Sequence, residues 1–352
     1  MTRNFFLILI TAIFWGCTPE QEPRMQTTIT LNDTVLTMKP ERTYTLKAIV
    51  TPPSDSVVVW TSSDESVATV FMGIVTSKKE GVTIITASVD GISVVCKVTV
   101  RIPQYQLIWE DNFDGNVLST EYWTNEKGGG GGNGEQQYYT DGTNISLEDG
   151  QLILKAKKED YTSSITGIIY NYTSARINTK NKIKFTYGKI EARISLPSGN
   201  GTWPAFWLMP NDDVYGGWPR SGEIDIMEHV GSDPKMISHA YHTKNNNTNT
   251  GTNWSMRTSK DGVEGNFHTY TLEWENDYLN GRDAFVFYVD SVQTGFKVEP
   301  ENATWEDWPF DKNFYIILNL ALGGSWGGTI DDDIFDDSVE MRIDWIKFYQ
   351  RE

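Results

Sequence analysis

Beyond its first two dozen residues, no apolar run in this 352-residue chain holds a period near 3.6 residues, which excludes long amphipathic helices. The apolar positions fall in short runs that alternate or are β-branched. Between residues 27 and 102 these are Tyr44–Val50, Val57–Thr61, Val67–Val70, Val82–Val89 and Ile92–Ile102. Turn residues separate them: Pro52-Pro53-Ser54-Asp55, Asp64-Glu65 and Asp90-Gly91. Strands at this spacing predict a small all-β sandwich. Past Pro103 the runs continue as Gln151–Ala156, Lys189–Leu196, Glu223–Val230, Phe267–Trp274, Ala284–Val289, Phe314–Leu320 and Glu340–Tyr349. About 250 residues of strand joined by Gly/Asn/Asp loops predict one larger sandwich or jelly roll over 104–352. The polar loops Gly128–Gly134 and Asn245–Asn253 are placed to rim a groove on it.

Arg3, the apolar stretch Phe5–Trp15 and Gly16-Cys17 have the order of an export signal. The stretch is too short to span a bilayer as a helix. Gly16-Cys17 resembles a bacterial lipoprotein cleavage site, which implies a leader over 1–17 and Cys17 as the acylated mature N-terminus. Residues 18–26 then read as a flexible leash, and the protein as exported to the outer membrane or cell surface, tethered only by that lipid. Cys96 would be left without a partner in its own domain and is expected to be a buried thiol. Two Cys exclude a disulfide scaffold and a Cys-based zinc site.

Thirty Lys and Arg against 47 Asp and Glu give a net charge of −17. Nucleic acid needs clustered cations, so it is excluded as a partner, as is docking on an anionic membrane surface. Eleven of the 13 Trp and all four His follow Pro103, so the chemistry is expected there. The most informative segment is Trp218-Pro219-Arg220-Ser221-Gly222-Glu223-Ile224-Asp225-Ile226-Met227-Glu228-His229. Glu223 and Asp225 are two apart and share one face of a strand, with Ile224 and Ile226 on the other. Glu228, five from Glu223, falls on the wrong face unless one extra residue near Met227 forms a β-bulge. With the bulge, three carboxylates line one face. Crowded acids raise one another's pKa. Glycoside hydrolysis uses that inequality, pairing an ionised nucleophile with a protonated general acid. On spacing alone, a solvated acidic face or a calcium site remains open. The flanking Ile and the many Trp favour catalysis.

From about Gln104 to Glu352 the sequence resembles glycoside hydrolase family 16, whose Glu-x-Asp-x-x-Glu signature is met by Glu223, Asp225 and Glu228. Gly201-Thr202-Trp203-Pro204-Ala205-Phe206-Trp207-Leu208-Met209-Pro210 resembles the family's aromatic strand, and Asn319-x-Ala-x-Gly-Gly-x-Trp326 its downstream block. The resemblance implies a jelly roll with an open cleft and endo-cleavage of a β-linked glycan with retention. Glu223 is then the nucleophile, Glu228 the acid/base and Asp225 the helper. It further implies Trp203, Trp207 and Trp218 as sugar-stacking residues, Arg176 as a cleft donor and His242 as a cleft histidine near the acid/base. Asn319, Trp326 and Glu135 are additional cleft candidates. His229 is expected to point away as a structural residue. No cofactor is required, although members often hold a structural Ca²⁺. The matching positions are Trp109-Glu110-Asp111-Asn112-Phe113, the backbone at Gly150, and Asp344, with Asn112 where the family often has Glu.

The bulged motif looks most like the laminarinases and β-1,3(4)-glucanases, so the expected partner is β-1,3- or mixed-linkage β-glucan and the chain is read as a monomer. Agarases and porphyranases share the bulge, which keeps a galactan-active member as the alternative. A non-catalytic glycan-binding surface lipoprotein is the other. Residues 27–102, through Val59-Trp60-Thr61-Ser62-Ser63-Asp64 and Val67-Ala68-Thr69-Val70, resemble a bacterial Ig-like domain of the invasin-type group 2. The resemblance implies a spacer.

Overall fold

The computed structural model describes residues 27–53, 55–279 and 281–351. The expected leader, Cys17 and the leash lie outside the described residues. Among the described residues, helix is confined to Gly324–Gly327 and a 3₁₀ turn at Asp332–Asp336, and the rest of the regular structure is strand.

In the N-terminal part, Val35–Met38, Ile92–Val100, Gly81–Val89 and Val59–Ser62 form a four-stranded sheet in that order. Two smaller sheets close over it. Leu36, Leu46, Val75, Ile85, Cys96 and Val98 fill the space between them. The alternation along Gly81–Val89, with every second residue from Thr83 buried, is what sends one face inward. Cys96 is fully buried, and burial pushes its thiol up to about 12. The expected single strand Tyr44–Val50 is instead broken around Leu46. Thr43–Thr45 pairs with Ile74–Ser77, while Ala48–Thr51 pairs with Thr28–Leu31 in another sheet. Leu46 donates its N–H to Gly73 O at 2.8 Å and buries its side chain, which turns the chain from one sheet to the other.

This small sandwich touches the outer sheet of the larger one. Lys39 Nζ lies 2.5 Å from Glu273 Oε2 and 2.7 Å from Glu275 Oε1. Glu275, almost fully buried, also takes Arg351 Nη1 at 2.6 Å and the Tyr105 hydroxyl at 2.7 Å.

The larger part is two packed sheets. The outer one has eleven strands; Val339–Arg351 lies within it, between Gln151–Thr162 and Gly188–Ser195. The inner one has seven, in the order Thr124–Asn125, Arg176–Asn178, Phe314–Leu322, Thr202–Pro210, Glu223–Glu228, Met236–His242, Trp254–Ser259. The core between them joins Phe206, Ile224, Ile226 and Leu318 to Ile190, Leu272, Trp274 and Phe285. Trp274, 1% exposed, packs edge-on against Phe285 and Phe314, which lie on opposite sheets. Trp274→Ala is expected to cost roughly 3–5 kcal/mol through the cavity it leaves. Thermal denaturation should show a fall of about 10 °C for a domain of this size.

Candidate active site

Where Glu223–Glu228 meets the aromatic strand Thr202–Pro210, Phe206 pairs with Met227 but Trp207 pairs with Asp225, so Ile226 is the extra residue. On the other side, Asp225 pairs with Ala240 and Glu228 with Ser238, so Ile226 and Met227 together oppose His239. This is the expected bulge. It lets both Ile226 and Met227 bury fully, and it returns Glu228 to the face that carries Glu223 and Asp225. Gly222 prepares the entry: its φ is +91°, and a Cβ there would lie 2.7 Å from Phe310 Cε1.

The three acids line a cleft of about 600 Å³ on the inner sheet. Each outer carboxylate has an indole partner. Trp218 Nε1 donates to Glu223 Oε2 at 2.5 Å, and Trp203 Nε1 donates to Glu228 Oε1 at 3.1 Å. Trp218 is 43% exposed and offers a face to the cleft. Trp203 is only 9% exposed, packed edge-on against Trp326 and against Val230, Met236 and Ala321. It therefore holds Glu228 more than it presents an open stacking face. Trp207 donates to Asn319 Oδ1 at 2.7 Å, and Asn319 Nδ2 donates to the Tyr139 hydroxyl at 3.2 Å. The Arg176 guanidinium lies 4.8 Å from the Trp207 ring centroid, and its Nε lies 2.8 Å from Glu126 Oε2. Glu135 and Trp326 line the cleft, as do residues of the two polar loops: Gly131, Gly132 and Asn133 from one, Thr248, Asn249 and Asn253 from the other.

His242 reaches the cleft, within electrostatic reach of Glu228 as well as of Glu223. It is opposite Glu223 in register, and its Nε2 is 3.3 Å from Asp225 Oδ2 and 3.9 Å from Glu223 Oε1. Glu228 pairs instead with Ser238, four residues back along the same strand. His229 points away: Nδ1 sits 2.7 Å from Met236 O and Nε2 3.0 Å from Glu264 Oε1. Sequence reasoning missed Ser238, Ala240, Ser255 and Arg257, which also line the cleft. Their signal was alternation: Ser238, Ala240 and His242 are two apart on one strand, and Ser255 and Arg257 on the next.

Burial raises all three carboxyls. Glu223 is pushed up to about 8, by desolvation first and then by Asp225. Asp225 rises to about 7 through desolvation. Glu228 is held well above the usual carboxylate range by desolvation and by both acidic neighbours. An indole N–H and His242 favour the ionised form of each outer acid, but Glu223 is opposed by Asp225 alone, whereas Glu228 is opposed by both Asp225 and Glu223. The arrangement can therefore keep a proton on Glu228 while Glu223 ionises.

Several side chains at the expected calcium positions have other partners. Asp344 carries Arg193 Nη1 at 2.5 Å, so a guanidinium already supplies the positive charge. Asp111 accepts from Trp123 Nε1 and from the Phe113 N–H, both at 2.9 Å, and Glu110 pairs with Lys347. Gly150 is near Asp114, whose Oδ1 would be 3.8 Å from an added Cβ. Among the described residues, the three-side-chain cluster of ligand type is Glu223, Asp225 and His242, in the cleft.

A jelly roll whose inner sheet carries paired, unequal carboxylates in a tryptophan-walled cleft defines a glycoside hydrolase. Residues 133–347 match the family described as glycosyl hydrolases family 16, and the chain belongs to that family. Residues 26–100 match the bacterial Ig-like domain (group 2). The chain is 38% identical over 262 residues to a beta-glucanase of Rhodothermus marinus, covering 71% of this chain and 87% of that protein. It is 41% identical over 231 residues to a glucan endo-1,3-beta-glucosidase of Cryptopygus antarcticus, covering 63% and 82%. The crystal structure of a laminarinase from Flavobacterium sp. UMI-01 superposes with a TM-score of 0.61 at 40% identity, covering 70% of this chain and all of that one. Glycosidases of the family retain anomeric configuration and need no cofactor for catalysis.

Proposed function

We propose that this protein is an endo-acting β-glucanase that cleaves β-1,3 and mixed-linkage β-1,3-1,4-glucan by double displacement. Glu223 is the nucleophile. Glu228 first protonates the departing sugar oxygen and then deprotonates water. Asp225 lies between them, and its negative charge disfavours ionisation of Glu228. The observation that carries this reading is the bulge at Ile226–Met227, which brings all three acids to one cleft face, with an indole donor on each of the outer two. The names of the relatives, beta-glucanase and laminarinase, support glucan as the substrate. The stacking surfaces are Trp218 and Trp207, with Arg176 holding the latter. Reducing-sugar release and product sizing on laminarin, barley glucan, agarose and porphyran test it. Rapid short oligosaccharides from either glucan are expected. Activity confined to a galactan would keep the mechanism and overturn the substrate.

We also propose that the chain is an exported lipoprotein anchored through Cys17, working at the outer membrane or cell surface as a monomer. Cys17→Ser should move the protein from the membrane fraction to the soluble fraction with activity per molecule unchanged. Retention in the membrane fraction would refute the anchor.

A further inference from the structure

The bulge that aims Glu228 leaves an irregular backbone in the middle of a sheet, and buried backbone groups need partners. The partner is a side chain. His239 is the residue opposite Ile226 and Met227, it is fully buried, and its Nδ1 lies 2.6 Å from Ile226 O. Its other nitrogen, Nε2, lies 2.8 Å from Thr294 Oγ1 on the facing sheet. Thr294 is itself an extra residue: Phe287 pairs with Gly295 but Tyr288 pairs with Gln293. The imidazole thus bridges two bulges, one in each sheet. Its ring stacks on Phe287 at 4.7 Å, and Gly295 leaves it room, since a Cβ there would lie 3.2 Å from His239 Cδ2. Burial holds the ring neutral, with its pKa down to about 4, so one nitrogen donates and the other accepts. Ile226 O can only accept, which fixes the proton on Nδ1 and leaves Nε2 to accept from the Thr294 hydroxyl.

We propose that His239 is a positioning residue for the reaction: its Nδ1–H pins the Ile226 carbonyl, sets the bulge, and so fixes the distance and aim of Glu228. The inference rests on Glu228 being the acid/base. A displaced acid hurts most when the leaving group needs a proton, and misplacement of about 1 Å can cost 10²-fold.

The test compares His239→Leu, which removes the donor, with His239→Asn, whose amide N–H can take the place of Nδ1–H. Active sites are titrated so that only folded enzyme is counted. His239→Leu should lose roughly 10- to 100-fold in kcat on laminarin oligosaccharides with KM within about twofold. Read as kcat/KM, which reports formation of the glycosyl-enzyme, the loss should be much smaller on a dinitrophenyl glycoside than on the oligosaccharides, and His239→Asn should recover most of the oligosaccharide loss. Equal losses in both variants, or equal losses on both substrates, would overturn the proposal. Should His239→Leu fail to fold, nitrogen-15 NMR of the unmodified protein reads the tautomer: Nδ1–H is expected, and Nε2–H with a bare Nδ1 would overturn it. Full oligosaccharide activity in Glu228→Gln would instead remove the acid/base assignment, and this inference with it.

Discussion

Glu228→Ala is expected to lower kcat on laminarin by about 10³-fold, the midrange of what a positioned general acid contributes. On a dinitrophenyl glycoside, whose leaving group needs no proton, formation of the glycosyl-enzyme should stay fast and its hydrolysis become limiting. Azide needs no general base, so it should restore turnover and yield a β-glycosyl azide, captured from the covalent intermediate. Glu223→Ala should be slower still on both substrates. Azide there attacks the substrate itself from the opposite face, so its product should be the α-glycosyl azide. The assignment of the two roles depends on this contrast. Both acids have an indole N–H and His242 to favour their charge, but Asp225 alone opposes that of Glu223, whereas Asp225 and Glu223 together oppose that of Glu228. Azide products of the reverse anomeric form would exchange the two roles.

Asp225→Asn is expected to lower kcat by roughly 10²-fold and yet raise stability at alkaline pH. Asp225 is 3% exposed, and its folded-state pKa rises from 3.8 to about 7. A raised carboxyl pKa means the folded state binds the proton more tightly than the unfolded state. Its stabilising contribution is present below pH 3.8 and is lost as pH climbs through about 7. Asparagine does not titrate. The difference in Tm, variant minus parent, should therefore be near zero at pH 4 and grow to several degrees by pH 8. Removing the Asp225 charge also removes one of the groups that keep Glu228 protonated. The basic limb of the pH–rate profile should shift to lower pH. A variant that loses activity with an unmoved basic limb would leave Asp225 only a structural role.

Much of this architecture was legible because strand periodicity is local. The alternation Glu223-Ile224-Asp225-Ile226 states which residues face the core, and the five-residue step to Glu228 requires one extra residue in the strand. Pairings between strands distant in sequence were not legible. Nothing near His242 says that it pairs with Glu223 rather than Glu228; that follows from the register of Met236–His242 against a bulged neighbour. Nor does the sequence near Trp203 show that its indole N–H serves Glu228, because the two residues belong to adjacent strands, 25 positions apart. The break at Leu46 was hidden for a related reason. Tyr44–Val50 reads as one strand, and only the competition between Ile74–Ser77 and Thr28–Leu31 for its two halves splits it. Asp344 looked free to hold a cation until Arg193, on a neighbouring strand of the outer sheet, took its carboxylate.

The most direct test of the central claim is the anomeric configuration of the first product, followed by proton NMR immediately after adding enzyme to laminarin oligosaccharides. Double displacement through Glu223 predicts that the β-anomer of the new reducing end appears first, with the α-anomer growing in only by mutarotation. An α-anomer present first would mean single displacement, and would contradict the roles of Glu223 as nucleophile and Glu228 as acid/base.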